Sequence, residues 1–230
     1  IKGYDYFTDK KAASSDNDIS AVFRLSTAGQ PDNLMKLWIK GSKNQTVFSV
    51  LSPKSNALSK GTAPVEVLKE KVPTLILRRN RESWGDPFVL VFNPYMEEDE
   101  NLISTVEFDK ADVGYDSQML RVKHSDGLTE DFIVANSTEN DMAVREDFYQ
   151  KGVLSVTRKK TKEANPDFIF LSGVLQYKYN GWEITSTSEA LTLSIERVDG
   201  GLKVCNNRPV VIKIPKSEGF NPGVLKIYEN

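Results

Sequence analysis

The stretch VPTLILRRNRESWGDPFVLVFNPY (72–95) holds two short apolar runs on either side of a polar connector that carries one tryptophan, and it closes on Phe-Asn-Pro-Tyr. Each run is only a few residues long and rich in β-branched and aromatic side chains, which reads as strand rather than helix. The two strands it predicts are Thr74–Arg79 and Pro87–Asn93. Whether they form a plain hairpin or mark a surface that meets a substrate is the question the rest of the chain must answer.

Outward from this stretch, period-two alternation recurs almost everywhere and long 3.6-residue periodicity is scarce. Toward the N-terminus it predicts strands at Ile19–Leu25, Leu34–Ile39 and Thr46–Leu51. Toward the C-terminus it predicts Leu102–Phe108, Met119–Lys123, Asp131–Ala135, Val153–Thr157, Phe168–Tyr177 and Trp182–Ser186. Leu191–Val198, Leu202–Cys205, Val210–Ile214 and Val224–Tyr228 complete the set. The connectors VDGGL (198–202), HSDGLT (124–129) and YNGW (179–182) carry hairpin chemistry. The Asp-Gly of the first suits a type I′ turn, and hairpins imply antiparallel pairing. TENDMAVREDFYQKG (138–152) is the best helical candidate, or else a loop with an edge strand, and RKKTKEANPD (158–167) reads as a charged, solvated loop. The fold class expected is all-β, an antiparallel β-sandwich with a large sheet region followed by a smaller C-terminal β unit. The acidic, proline-containing connector NPYMEEDENL (93–102) sets the boundary between residues 1–100 and 101–230.

The bulk numbers limit the function classes. At 230 residues the chain can bury a sizeable core, and 39% hydrophobic with 27% charged residues is ordinary for a globular protein. Its 30 basic and 32 acidic residues are mixed and leave a net charge of −2, which gives no electrostatic case for nucleic acid or an anionic membrane. No apolar run approaches the roughly 18 residues that a spanning helix needs. The lone cysteine, Cys205, excludes an intrachain disulfide and a thiolate metal cluster, and its apolar surroundings LKVCNNRPV predict a buried, inert thiol. The sequence starts at Ile1 without methionine, as expected of a processed form or a piece of a longer polypeptide.

Chemistry-bearing residues are few. The single histidine, His124, precedes a Ser-Asp-Gly turn, where a solvated side chain is the expectation. Zinc would need more His or Cys ligands than the chain has, and SSDND (14–18) lacks the ordered spacing of a calcium loop. No dinucleotide, P-loop or nucleophile-elbow motif occurs. NQT (44–46) and NST (136–138) are formal glycosylation sequons. Of the tryptophans, Trp38 and Trp182 suit core packing or a sugar-stacking face, with the core favoured for Trp38 inside LMKLWIKG. Trp84, in its polar connector, is the better candidate for an exposed platform.

The stretch 72–95 also resembles a segment of the heparinase II/III-like polysaccharide lyases and their oligo-alginate lyase relatives. Those proteins have a Val-Pro-x-Leu-Ile-x-Arg strand, a connector with a tryptophan, and a Pro-Phe-Val-x-Val-Phe-x-Pro strand. LMKLWIKGSKNQTVFSVLSP (34–53) is similar to the family's Met-x-Leu-Trp strand and the apolar strand that follows and ends at proline. LISTVEFDK (102–110), LRVKHSDGLTEDFIVAN (120–136) and LKVCNNRPVVIKI (202–214) resemble the strands beyond it.

The resemblance implies that this chain is the β portion of an enzyme whose N-terminal helical toroid supplies much of the cleft and the catalytic groups. The reaction implied is β-elimination of a uronate, which needs a base at C5, an acid at the leaving oxygen and donors for the developing charge. YDYF (4–7) matches the family's cleft-lining His-Asp-Tyr-like segment, with Tyr4 in place of the histidine while Asp5 and Tyr6 keep a carboxylate and a phenol. Substrate contact is therefore expected from Tyr4, Tyr6, Arg78, Arg79 and Trp84, the guanidinium groups pairing with sugar carboxylate or sulfate. No catalytic residue is expected in the chain itself. No metal or other cofactor is expected either, since the family's zinc histidines are lacking. The implied partners are an acidic polysaccharide and the toroid of the same polypeptide, with no nucleic acid and no membrane span. The implied location is periplasmic or secreted, in a bacterium. A stand-alone carbohydrate-binding or structural β-module is the alternative reading.

Overall fold

The computed structural model of the protein describes residues 6–14, 16–53, 71–79, 87–99, 101–109, 117–163 and 165–216. The expected strand at Val224–Tyr228 lies outside them, as do Tyr4 and Trp84. The described residues form sixteen strands and no α-helix, and every strand pair is antiparallel. The chain divides into two compact units, Ile1–Glu100 and Asn101–Asn230.

The first unit contains β1 (Thr8–Ser14), β2 (Ile19–Leu25), β3 (Asn33–Ile39), β4 (Gln45–Pro53), β5 (Lys71–Arg79) and β6 (Leu90–Met96). They build two three-stranded sheets, ordered β1-β4-β5 and β2-β3-β6. The two apolar runs of 72–95 are therefore not a hairpin, for each is an outer strand of a different sheet. β5 pairs with β4 from Gln45↔Arg79 to Pro53↔Lys71, and β6 pairs with β3 from Asn33↔Met96 to Ile39↔Leu90. Leu37, Trp38 and Ile39 are all buried although neighbours on a strand point to opposite faces. Both faces of β3 are thus covered at that end, and Trp38 is a core residue.

The second unit contains β7 (Ile103–Phe108), β8 (Ser117–His124), β9 (Thr129–Asn136), β10 (Met142–Arg145) and β11 (Phe148–Lys160). It continues with β12 (Pro166–Tyr179), β13 (Trp182–Ser186), β14 (Leu191–Val198), β15 (Gly201–Asn206) and β16 (Val210–Lys213). These strands make one ten-stranded sheet, so the larger sheet is the C-terminal one. Its centre is the long hairpin β11–β12, in which each strand changes its outer partner part-way along. β11 pairs with β10 up to Lys151 and with β9 from Leu154, while β12 pairs with β14 up to Val174 and with β13 from Gln176.

The changeover is marked by register shifts at Lys151/Gly152 and Leu171/Val174. Gly152 and Gly173 occupy it with φ of 142° and 64°, backbone that side-chain-bearing residues rarely adopt. The shifts bend the sheet so that its two parts share one core. Met119, Phe132 and Val134 on one side meet Tyr177, Trp182 and Ile184 on the other. Phe148 packs edge-on against both Phe132 and Tyr177, at centroid distances of 5.0 and 5.8 Å. Trp182 is 1% exposed and belongs to this core, not to a sugar-stacking surface.

Several local expectations are corrected. Of the two readings of residues 138–152, the loop with an edge strand holds and the helix does not: Met142, Ala143 and Val144 alternate 56%, 0% and 53% exposed, the two-residue period of the edge strand β10. Arg158–Lys160 continue β11 instead of starting a loop, because β9 offers them Asp131, Glu130 and Thr129 as partners. Cys205 is exposed, since β15 sits at the end of the sheet. The Asp199-Gly200 turn is not type I′, because only Gly200 of the two has positive φ; that geometry belongs to Asn180-Gly181, at 47° and 83°.

Candidate functional site

Of the site residues expected in the first unit and described by the structure, Arg78 and Arg79 lie on the β1-β4-β5 sheet, while Tyr6 precedes β1. Arg78 and Arg79 end β5, and alternation sends their side chains to opposite faces. Arg78 is exposed, sits opposite Thr46 of β4, with Ser14 of β1 beyond it, and makes no ion pair with a described residue. Arg79 is half-buried. Its Nε donates to Gln45 Oε1 at 2.9 Å, its Nη1 to the Pro87 carbonyl at 3.1 Å, and the guanidinium lies 4.4 Å from the Phe88 ring centroid. Gln45 is fully buried, so this arginine is bound into the body of the unit.

Tyr6 is 50% exposed, and its backbone carbonyl accepts a hydrogen bond from Lys71 Nζ at 3.1 Å. Lys71 begins β5, seven residues before Arg78, a separation of about 23 Å along a strand. The sheet thus holds Tyr6 and the arginine pair at opposite ends.

A groove of about 560 Å³ in the same unit was not legible in the sequence. Phe23, Leu25, Leu34, Met35, Val72 and Leu75 line it, and its volume falls in the range of small-molecule sites. Arg24 stands at its side with Nη1 held by Asp32 at 2.7 Å and Glu97 at 3.0 Å, so its charge is already matched. These walls suit apolar surface, not a carboxylate. The contributing residues come from five strands, β2 to β6, and nothing in any one segment signals them.

In the second unit a shallower pocket of about 250 Å³ lies between hairpin ends, with Arg145, Asp147, Tyr149, Lys178, Tyr179 and Glu183 in its lining. Its cations are committed too. Arg145 Nε and Nη2 donate to Asp109 at 2.9 and 2.8 Å, and Glu183 accepts from Lys178 and Lys213 at 3.3 and 2.9 Å. Burial, with the Asp147 charge adding to it, pushes the Tyr179 phenol above its ordinary pKa, so it is a donor at neutral pH.

His124 is less open than a turn-flanking residue should be. Its side chain is 23% exposed and its Nε2 lies 2.9 Å from Asp131 Oδ2. Arg158 grips the same carboxylate with Nε at 2.7 Å and Nη2 at 2.9 Å. Burial disfavours the Asp131 charge most strongly, but the hydrogen bonds from Arg158 and His124 outweigh it and hold the carboxyl below its usual range. Every oxygen of this trio is engaged, which suits a structural tie across β9 and β11 better than proton transfer. Next to it, Asp126 accepts from the backbone N–H groups of Leu128 and Thr129 at 2.8 Å and from the Thr129 hydroxyl at 2.6 Å. Those donors pull its pKa down to about 2.

Among the described residues no group of three or more His, Cys, Asp or Glu side chains converges as a metal site would require. Asp18, from the acidic run 14–18, accepts from the Gly41 backbone N–H at 2.9 Å. Of the two sequons, Asn44 is exposed in a turn, whereas Asn136 is buried with its amide donating to the Gly152 carbonyl at 2.6 Å. No helix among the described residues is long and apolar enough to cross a membrane. Comparison of the chain with family models, with curated proteins and with solved structures finds no match.

Proposed function

We propose that this chain is the β-sheet portion of a heparinase II/III-like polysaccharide lyase, with the catalytic toroid supplied by the same polypeptide upstream. In that arrangement it buttresses the toroid and closes one wall of a cleft for a uronate-containing polysaccharide, in the periplasm or outside a bacterial cell. The observation that carries this reading is the fate of the segments on which the resemblance rests. The Val-Pro-x-Leu-Ile-x-Arg run is β5, the apolar strand ending at Pro53 is β4 beside it, and the Met-x-Leu-Trp run is β3 beside β6. Segments that are alike in order are therefore also neighbours in space. Arg78 sits at one end of β5, and Tyr6, just before β1, is tied through its carbonyl to Lys71 at the other end, about 23 Å away along the strand, a span of several sugar units and not one.

The test is the reading frame upstream of Ile1 together with an assay of both forms. The full polypeptide should cleave a uronate polymer to unsaturated products, and the isolated 230-residue chain should not. An upstream region without a helical toroid, or cleavage by the isolated chain, would overturn the proposal.

A further inference from the structure

At the bend of the ten-stranded sheet the Gly152 carbonyl accepts two side-chain amides, Asn136 Nδ2 at 2.6 Å and Gln150 Nε2 at 3.1 Å. Asn136 Nδ2 also lies 3.3 Å from the Asp141 carbonyl. These contacts fix which end of each amide is which, because the reverse orientation would set oxygen against the Gly152 oxygen. Asn136 Oδ1 and Gln150 Oε1 must then face away from it. Both are buried, as is Ser155 Oγ, and none of the three meets a hydrogen-bond partner among the described residues. Gln150 and Ser155 are 0% exposed and Asn136 is 7% exposed, so bulk water does not serve them.

Two unmatched amide oxygens from side chains that converge on one carbonyl, with a third unmatched atom on Ser155 three residues along β11, are unusual in an otherwise apolar core, because a buried acceptor without a donor forfeits more than a typical made bond returns. The two amide oxygens need donors. We propose that this corner is a binding site for internal water, which donates to Asn136 Oδ1 and Gln150 Oε1. The donor set argues for water over a cation. All three side chains are neutral, and hard cations of this size draw on six to eight oxygens that usually include carboxylates. The water would be part of the bend itself. It satisfies the side chains that clamp the Gly152 carbonyl, where the sheet changes partners.

The test is a crystal structure of the chain at a resolution that shows ordered solvent, paired with water-to-protein NMR transfer at the Gln150 side-chain amide. Expected is a density peak about 2.7–3.2 Å from Gln150 Oε1 or Asn136 Oδ1, with a persistent water cross-peak at the Gln150 amide and a second at the Asn136 side-chain amide, which Gln150→Leu weakens. A dry corner, with the amides turned to accept from protein donors, would overturn the proposal. So would a peak about 2.3–2.6 Å from six or more oxygens, which identifies a cation. Density and cross-peak are both read on the unaltered protein, so they decide the matter even where the variant fails to fold.

Discussion

Gly152 lies so close to Val174 across the central hairpin that a Cβ on the glycine would stand 2.4 Å from the Val174 Cα and 2.7 Å from the Gly173 carbonyl oxygen. Both obstacles are backbone, which cannot swing aside, and the φ of 142° adds strain. Gly152→Ala is expected to cost about 3 kcal/mol or more, or to abolish folding of the second unit. Gly127→Ala is the contrast. Nothing lies within 4 Å of its Cβ position, so only its left-handed φ of 66° is penalised, at about 1 kcal/mol. Denaturant unfolding of the two variants separates the cases.

Tyr177 and Thr157 form the next link of the same core, with their hydroxyls 2.6 Å apart and both side chains buried. Burial holds the phenol far above its ordinary pKa, so it stays neutral throughout the stability range. Tyr177→Phe keeps the ring contacts and strands the Thr157 hydroxyl, at a cost of about 1–3 kcal/mol. The double variant with Thr157→Val should recover part of that loss, which a double-mutant cycle reads directly.

Much of this architecture is legible in the sequence because it follows from alternation and turn residues. The pattern alone bounds Leu191–Val198 and Trp182–Ser186 as the structure has them. What escapes depends on partners far away in sequence. Met142–Arg145 is a strand because β11 offers it an edge, and its charged composition resembles a helix just as well. β1 carries no apolar pattern at all, every residue being exposed, and exists because β4 has a free side. Among the candidate site residues, the alternation places Arg78 and Arg79 at a strand end. It carries no sign that Gln45, at the start of the facing strand, takes up Arg79 and leaves Arg78 in solvent.

Arg158 and His124 share one carboxylate, and removing the arginine exposes the competition at Asp131. With both of its guanidinium bonds gone, burial regains influence and the Asp131 pKa rises toward or above its ordinary 3.8. A carboxyl whose folded pKa is depressed contributes stability above its unfolded value and loses it as pH falls through the folded one. Arg158→Ala should therefore move the onset of acid unfolding to higher pH and cost about 1–2 kcal/mol near neutrality, the figure being reduced because Arg158 is 46% exposed. Arg158→Lys cannot supply the two-pronged grip and should rescue only a fraction.

Asp126 gives a second acid-sensitive tie whose window is set by its pKa of about 2 against an ordinary 3.8. Its contribution is complete above about pH 4 and fades as pH falls toward 2. Asp126→Asn keeps one acceptor oxygen for the turn but loses the charge. The variant should be less stable than the parent at pH 6, with the difference shrinking steadily as pH is lowered below 4. A difference that stays constant across that range would show that the charge is not what the turn uses.

Arg78 and Arg79 are adjacent in sequence and opposite in consequence. Arg79 supplies the donor for Gln45 Oε1, and Gln45 is fully buried, so Arg79→Ala leaves an acceptor unmatched in the interior and should cost about 1–3 kcal/mol. Arg78 is exposed and ion-pairs with no described residue, so Arg78→Ala should change stability by no more than about 0.5 kcal/mol. If this face meets the acidic polysaccharide of the proposed function, the order reverses for binding. Arg78→Ala should weaken retention of uronate oligosaccharides by the full-length enzyme, with an effect that shrinks as salt is raised, because an exposed cation acts through screened attraction. Tyr6→Ala, at the other end of the sheet, should weaken binding of long oligosaccharides and spare that of short ones held by Arg78 alone. Equal losses for short and long chains would mean that the two residues do not lie along one sugar-binding track.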